Sequence, residues 1–381
     1  MSPFRQSTEL GLSRRLVIKI GSAMLVDEET GAIRRSWLQS LVDDLAVLRS
    51  DGCEVIIVSS GAIAVGRRQL HFTNGALHLD EKQAAAAAGM ILLAHAYQEV
   101  LADHQITVAQ VLLTLDDSED RRRYINARST LATLLRVGAV PLINENDTVA
   151  TDEIRFGDND RLAARVAAMI SADTLVLLSD IDGLYTADPH RDPEARLLPE
   201  VREITAEIDA MADTSRSAVG TGGMVTKLAA AKIAIAAGCR MVIAAGDHPH
   251  PLARIRGGAA CTWFLPERSP QAARKRWIGG TLNPAGSLVI DAGAVSALMQ
   301  GKSLLPAGVI AIEGDFGKGA AVLIRAGTGE ILGRGLCAYS AADARRIIGH
   351  KTREIEACLG YRGRDELIHR DDLALDVKKR K

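Results

Sequence analysis

The sequence predicts an α/β protein: a three-layer αβα sandwich around a mainly parallel central sheet, followed by a small β-rich domain. Three observations carry that prediction. Continuous apolar strands alternate with helix-periodic stretches through the first two thirds of the chain, the pattern of a parallel sheet covered on both faces. The 381 residues are enough for two domains at ~100–200 residues each, and the pattern changes near residue 265. Hydrophobic residues make up 47%, charged residues 24% and aromatics 3%, the balance of a globular protein with a core of small side chains.

The elements follow in order. Leu16–Ile20 is a β-branched apolar strand, and Trp37–Ser50 has helical periodicity. Glu54–Ser59 is a second buried strand, and Asp80–Ala102 is a long alanine-rich helix. Thr107–Leu113, Ala139–Ile143, Thr174–Leu178 and Arg240–Ala244 read as further strands. Between them Tyr124–Arg136, Arg161–Ile170 and Met224–Ala237 read as helices. In such a sheet the ligand crevice lies beyond the carboxyl ends of the strands. The polar clusters fall there: Lys19-Ile20-Gly21-Ser22, Ser59-Ser60-Gly61, Asn144-Glu145-Asn146-Asp147 and Ser179-Asp180.

Residues 12–265 are therefore expected to form the first domain, and 266–284, rich in proline and charge, a linker. Short alternating segments over residues 285–363, separated by Gly and Pro, suggest a small barrel or sandwich. Residues 364–381 read as a charged, frayed tail.

Composition excludes several classes. Ample apolar surface rules out disorder as the main state. With 46 Lys+Arg against 47 Asp+Glu, the net charge of -1 argues against a dedicated nucleic-acid or membrane-surface protein. Cys53, Cys239, Cys261, Cys337 and Cys358 are scattered without a C-x-x-C pair, so no zinc site or disulfide framework is expected. Nothing resembles a signal peptide, and the apolar run Ala84–Ala94 is too short to cross a bilayer. The expected location is the cytoplasm.

Four motifs suggest chemistry. A lysine in an apolar strand is costly to bury, so Lys19 either reaches an anion at the strand's end or faces solvent on an edge strand. Gly220-Thr221-Gly222-Gly223-Met224-Val225-Thr226-Lys227 precedes a helix, where freed N–H groups and the helix dipole attract phosphate; the bland alternative is a flexible loop capping a helix. It is not a Walker A loop. Asn144–Asp147 and Gly157-Asp158-Asn159-Asp160 gather carboxylates and amides where crevice loops belong, and turn chemistry is the competing explanation. Ser60, at a strand end before Gly61, is a donor for a carboxylate or phosphate, but G-x-S-x-G is absent. The nine histidines form no catalytic order, and Arg121-Arg122-Arg123 reads as part of a solvated mixed-charge face.

Taken together, Val58–Ile63, Ile143–Asp147, Gly157–Asp160, Gly183–Pro189 and Gly220–Lys227 resemble the glutamate 5-kinases of the amino acid kinase superfamily. Asp291–Ala294, Ser303–Gly308 and Phe316–Gly319 resemble a PUA domain, an appendage that separates this family from aspartokinase, uridylate kinase and acetylglutamate kinase. The resemblance implies the amino acid kinase fold, ATP and Mg²⁺ as cofactors, and L-glutamate as the acceptor. It implies that Lys19 and Lys227 contact phosphates and the transferring group, and that Asp160 orients both lysines. Ser60, Asp147 and Asn159 would bind glutamate. Ser179 and Asp180 would lie at the nucleotide, with Thr221, Gly222, Gly223, Met224, Val225, Thr226 and Lys227 completing that pocket. No protein metal-ligand set is expected.

The resemblance further implies the first step of proline synthesis, inhibition by proline, a homo-oligomer (dimer or tetramer), and channelling to glutamate-5-phosphate reductase. No membrane partner is expected. RNA binding through the PUA-like domain is the reading from a different class, and the near-zero net charge weighs against it. A kinase of the same fold acting on another small acid or a nucleotide is the other alternative.

Overall fold

The computed structural model describes residues 10–27, 29–72, 75–150, 158–189, 191–214, 223–280 and 283–376. The chain divides into two compact units, one of residues 1–119 and 127–270, the other of 120–126 and 271–381.

The first unit holds an eight-stranded sheet. Its strands are β1 (Arg15–Ile20), β2 (Glu54–Ser59), β3 (Val108–Leu113), β4 (Val140–Glu145), β5 (Thr174–Ser179), β6 (Glu200–Val201), β7 (Arg240–Ala245) and β8 (Cys261–Phe264), in the order β3-β4-β2-β1-β5-β7-β8-β6. The first six in that order run parallel, and β8 turns antiparallel to β7. Alternate residues of the central strands face two separate layers. Leu16, Ile18 and Ile20 of β1, with Val55 and Ile57 of β2, pack with Trp37, Leu41 and Leu45 of helix Arg35–Ser50 and with Met90, Leu93 and Tyr97 of helix Leu79–Ala102. The other parity, Val17, Ile56, Val58, Leu175 and Leu177, is also fully buried, beneath helices Asp158–Ile170 and Met224–Ala236. Burial on both faces explains the continuous apolar runs in the sequence.

The expected order of elements stands, with additions that periodicity missed. Strands β6 and β8 and helices Ala62–Gln69 and Pro251–Arg256 are too short to display a period. The apolar run Ala84–Ala94 lies inside a 24-residue helix that is long and apolar enough to span a membrane by length and composition. Its apolarity has a simpler cause here, because it packs into the core. Helix Ala62–Gln69 crosses it at glycine against glycine. A Cβ on Gly66 would lie 1.7 Å from the Ala85 carbonyl oxygen, and one on Gly89 would lie 1.8 Å from that of Ala62. The two backbones touch where any side chain would force them apart.

The second unit carries a mixed sheet of β9 (Gly286–Ile290), β10 (Val309–Gly314), β11 (Ala321–Ala326), β12 (Ile331–Leu336) and β13 (Leu373–Leu375), in the order β10-β9-β11-β12-β13. Its core joins Leu288, Ile290, Val322 and Ile324 to Ala344 and Ile347 of helix Ala341–Ile347.

Two expectations fail here. The stretch 266–284, expected to be a linker, contains helix Pro270–Gly280. A proline is well placed at a first helical position, where no N–H is needed, and Gln271-Ala272-Ala273-Arg274 are good helix formers. Arg274 is its anchor: Nη2 donates to Asp372 Oδ1 at 2.5 Å, Nε to the Asp371 carbonyl at 3.0 Å, and Nη1 to the Tyr124 hydroxyl at 3.3 Å. Of the stretch 364–381, expected to fray, the described part 364–376 instead buries Leu367, Ile368 and Leu373 and adds β13 to the sheet beside β12; residues 377–381 lie outside the described residues. Its charges are partly internal, since Asp372 is the buried partner of Arg274.

Replacing Gly89 by Ala should cost about 3 kcal/mol of stability, because backbone rather than a flexible side chain blocks the new methyl. Chemical denaturation measures it; a loss under ~0.5 kcal/mol would mean the helices are not in contact there.

Candidate active site

Strand β1 lies at the centre of the sheet, flanked by β2 and β5. The chain passes from β1 to β2 on one side and only after β4 crosses to β5 on the other, so a crevice opens beyond the carboxyl end of β1. Lys19 pairs in register with Val58 of β2 and Leu177 of β5, one residue before the strand stops. It therefore belongs to a central strand, not an edge. Its side chain takes the parity of Val17, toward helices Asp158–Ile170 and Met224–Ala236, and is only 8% exposed.

The partner that makes this burial tolerable is Asp160, fully buried in the first turn of helix Asp158–Ile170. Lys19 Nζ lies 2.7 Å from Asp160 Oδ1, and Lys227 Nζ lies 3.6 Å from Oδ2. The Thr226 hydroxyl donates to the same Oδ2 at 3.0 Å. Thr226 and Lys227 occupy the first turn of helix Met224–Ala236, which starts at Gly223 in extended conformation. Two nearly buried ammonium groups thus share one buried carboxylate, and the Asp180 carboxylate also acts on Lys227. Burial pushes the Asp160 carboxyl up, but Lys19 and Lys227 outweigh it and hold the group below its ordinary value. Burial lowers the Lys227 ammonium, Lys19 adds to that, and Asp160 and Asp180 oppose it.

Asn159, adjacent to Asp160, faces a second cluster. Its amide Nδ2 donates to the Ser60 hydroxyl at 2.8 Å and to the Ser59 carbonyl at 3.2 Å. Both donor directions are thereby used, which turns the amide oxygen away from the strand end. That oxygen is buried and has no hydrogen-bond partner among the described residues. A buried amide oxygen without a donor calls for one from a ligand. Ser60 precedes Gly61, whose φ of +96° lets the chain turn sharply from β2 into helix Ala62–Gln69. Asp147, in the loop after β4, is also buried, and no described residue pairs with it or hydrogen-bonds its carboxylate. Burial alone raises its pKa from 3.8 to about 6. Among the described residues no cation answers its charge.

On the other side of β1, Ser179 ends β5 and its hydroxyl donates to the exposed Asp180 at 2.8 Å. The Ser179 carbonyl accepts from Gly246 N at 2.8 Å, and Gly246 O in turn accepts from Trp37 Nε1 at 2.6 Å. Trp37 thus pins the loop after β7 beside Ser179, a link that nothing in the local sequence announces.

Of the residues singled out from the sequence, Lys19, Asp160, Thr226 and Lys227 come together, as do Ser60 and Asn159. The two groups share the first turn of one helix through the adjacent pair Asn159-Asp160. Gly223, Met224 and Val225 begin the helix that carries Lys227; Met224 is buried and Val225 exposed. Thr221 and Gly222, with the start of the Gly157–Asp160 motif at Gly157, lie outside the described residues.

This arrangement suits transfer between anions: fixed cations on one side, an acceptor for a cationic head group on the other. Comparison with known proteins agrees. Residues 14–245 match the amino acid kinase family and residues 286–359 match the PUA domain. The chain belongs to the amino acid kinase family. Within it, the glutamate 5-kinase of Paramagnetospirillum magneticum is 64% identical over 367 residues, 96% of this chain and 99% of that protein. The glutamate 5-kinase of Rhodospirillum rubrum is 62% identical over 362 residues, covering 95% of this chain and 96% of that protein. Among solved structures, a carbamate kinase from Giardia lamblia bound to AMP-PNP is 17% identical, with a TM-score of 0.49 over 68% of this chain and 100% of that one.

The buried carboxyl of Asp147 gives this family member a testable pH signature. A folded-state value above the unfolded one means the folded chain holds the proton longer. Folding is therefore disfavoured by this group as pH rises from about 4 to about 6, and the cost persists above that range. Asp147→Asn removes the charge at similar shape. It should raise the melting temperature by roughly 2–5 °C at pH 7.5 and leave it unchanged at pH 4. Equal effects at both pH values would mean that Asp147 is not desolvated.

Proposed function

We propose that this protein phosphorylates the γ-carboxylate of L-glutamate with ATP, giving L-glutamyl 5-phosphate and ADP. The observation that carries the reading is the buried Lys19–Asp160–Lys227 cluster, within one helical turn of a half-site suited to an amino acid. The relatives named glutamate 5-kinase, which span nearly the whole chain, support it.

The acceptor carboxylate is ionised at neutral pH, with an unperturbed pKa of ~4.3, so no general base is needed. The difficulty is the meeting of two anions. An oxygen of the γ-carboxylate attacks the γ-phosphorus, the bond from phosphorus to the ADP oxygen breaks, and negative charge spreads over the transferring oxygens. Lys19 and Lys227 stabilise that charge without reorganising, because Asp160 already fixes them.

The substrate's α-ammonium is recognised by the Asp147 carboxylate and the Asn159 amide oxygen, the two acceptors left without a described donor, and Ser60 donates to a carboxylate. Ser179, Asp180 and the stretch from Thr221 to Lys227 hold the nucleotide. Mg²⁺ arrives with ATP as part of the substrate. Proline keeps the α-amino and α-carboxylate groups of glutamate, so it fits the same half-site as an inhibitor. A cytoplasmic homo-oligomer that passes its labile acyl phosphate directly to a reductase completes the reading.

Hydroxylamine traps acyl phosphates, so a hydroxamate should form with glutamate, ATP and Mg²⁺. No hydroxamate with glutamate, but formation with another acid, would overturn the substrate assignment. Lys227→Ala should lower kcat by ~10²–10³-fold with a small change in glutamate KM; a near-wild-type kcat would remove Lys227 from the chemistry. Asp147→Ala should chiefly raise the glutamate KM, and in the native protein that KM should climb as pH falls below about 6. A change confined to the ATP KM would reverse the assignment of the half-sites.

A further inference from the structure

Tyr97 lies on helix Leu79–Ala102, in the layer opposite the two site lysines, and no part of it reaches solvent. Its ring fills the core beneath β2. A tyrosine so placed is normally a poor substitute for phenylalanine, because its O–H must find a partner or be stranded. The partner is Ser59, the last residue of β2: the two hydroxyl oxygens are 3.2 Å apart, and Ser59 is itself buried. The Ser59 hydroxyl donates to the Ser60 carbonyl at 3.3 Å, which uses its single proton. Tyr97 is therefore the donor to Ser59 Oγ. Burial pushes the phenol well above its ordinary pKa and the Ser59 hydrogen bond opposes this only in part, so the group stays a neutral donor.

The chain of bonds leads into the site. Tyr97 O–H holds Ser59 Oγ, and Ser59 O–H holds the peptide after Ser60. The carbonyl of Ser59 and the hydroxyl of Ser60 both accept from Asn159. The last turn of β2 is thus fixed from two sides, by Asn159 in one layer of helices and by Tyr97 in the other. Without Tyr97, the Ser59 hydroxyl loses its donor and the Ser60–Gly61 peptide loses a fixed reference. Ser60 and the Asn159 amide oxygen then lose their common orientation.

We propose that Tyr97 is a positioning residue for the amino-acid half-site, acting through Ser59 on Ser60 and Asn159 and touching no substrate itself. This rests on the reading that Ser60 and Asn159 bind the amino-acid substrate. The lysine cluster is anchored separately, through Asp160 to Lys19, Thr226 and Lys227. Loss of the phenol hydroxyl should therefore fall on one substrate and spare the other.

Steady-state kinetics of the full-length protein test this with Tyr97→Phe, Ser59→Ala, the double variant and Ser60→Ala. Tyr97→Phe should raise the glutamate KM about tenfold, the scale of one buried hydrogen bond, and leave kcat and the ATP KM within about twofold. Ser59→Ala should do the same, and the double variant should be no worse than either single one. A lower melting temperature with an unchanged glutamate KM in Tyr97→Phe would make the hydroxyl purely structural and overturn the inference. So would additive effects in the double variant, or equal losses in both KM values. Should Tyr97→Phe not fold, Ser59→Ala reads the same link from its other end under the same criteria. Ser60→Ala separates the two claims. A raised glutamate KM there with none in Tyr97→Phe defeats only the positioning role, whereas no change in either defeats the reading of the half-site.

Discussion

A fully buried carboxylate between two ammonium groups is the constraint around which the first unit is arranged. Asp160 makes it possible for Lys19 to sit in a central strand and for Lys227 to sit in the first turn of a helix, each nearly closed to water. Remove the carboxylate and two like charges face each other in a low dielectric, a situation costing ~3–5 kcal/mol or more where one partner of a buried pair is lost. Remove either lysine and Asp160 keeps only part of what offsets its burial. The fold tolerates the cluster because strand β1, helix Asp158–Ile170 and helix Met224–Ala236 converge at the carboxyl edge of the sheet, the place a parallel topology provides.

The second half of the site depends on the first by covalent adjacency. Asn159 and Asp160 are neighbours in one helical turn, so the helix sets the spacing of the two halves while each side chain is held by its own partners. Their side chains diverge, Asn159 to the end of β2 and Asp160 to the lysines. Charge is treated oppositely on the two sides. On the lysine side Asp160 pairs with both ammonium groups, and Asp180 also acts on Lys227. Among the described residues nothing offsets the burial of the Asp147 carboxylate, which suits it to a cationic group.

Much of this was legible in the sequence. Apolar runs located β1, β2, β4, β5 and β7, since strands buried on both faces carry no alternation to confuse the reading. The polar clusters after those strands were visible for the same reason. The status of Lys19 was not, because a lysine at the end of an apolar run suits an edge strand equally well; strand order settles it and is a tertiary property. The role of Thr226 as a donor to Asp160 was hidden inside a glycine-rich motif read only for phosphate. Tyr97 was hidden in an alanine-rich helix that reads simply as core. The stretch 266–284 misled because Pro266, Pro270 and a string of charges mark a loop as readily as the start of a helix. The tail misled because the buried pair of Arg274 and Asp372 joins residues almost a hundred positions apart, beyond any local pattern.

The second unit is assembled from distant parts of the chain. Strand β13 borders β12, Asp372 closes over Arg274, and residues 120–126 belong to the same compact unit. During synthesis, then, its sheet has no last strand, and Arg274 has no buried counter-charge, until residues 372–375 have been made. A nascent chain halted before residue 370 would present β12 as a raw edge, the kind of surface that invites pairing with another chain. Completion of this unit therefore waits on residues 372–375, and a product stopped before them keeps β12 as an open edge.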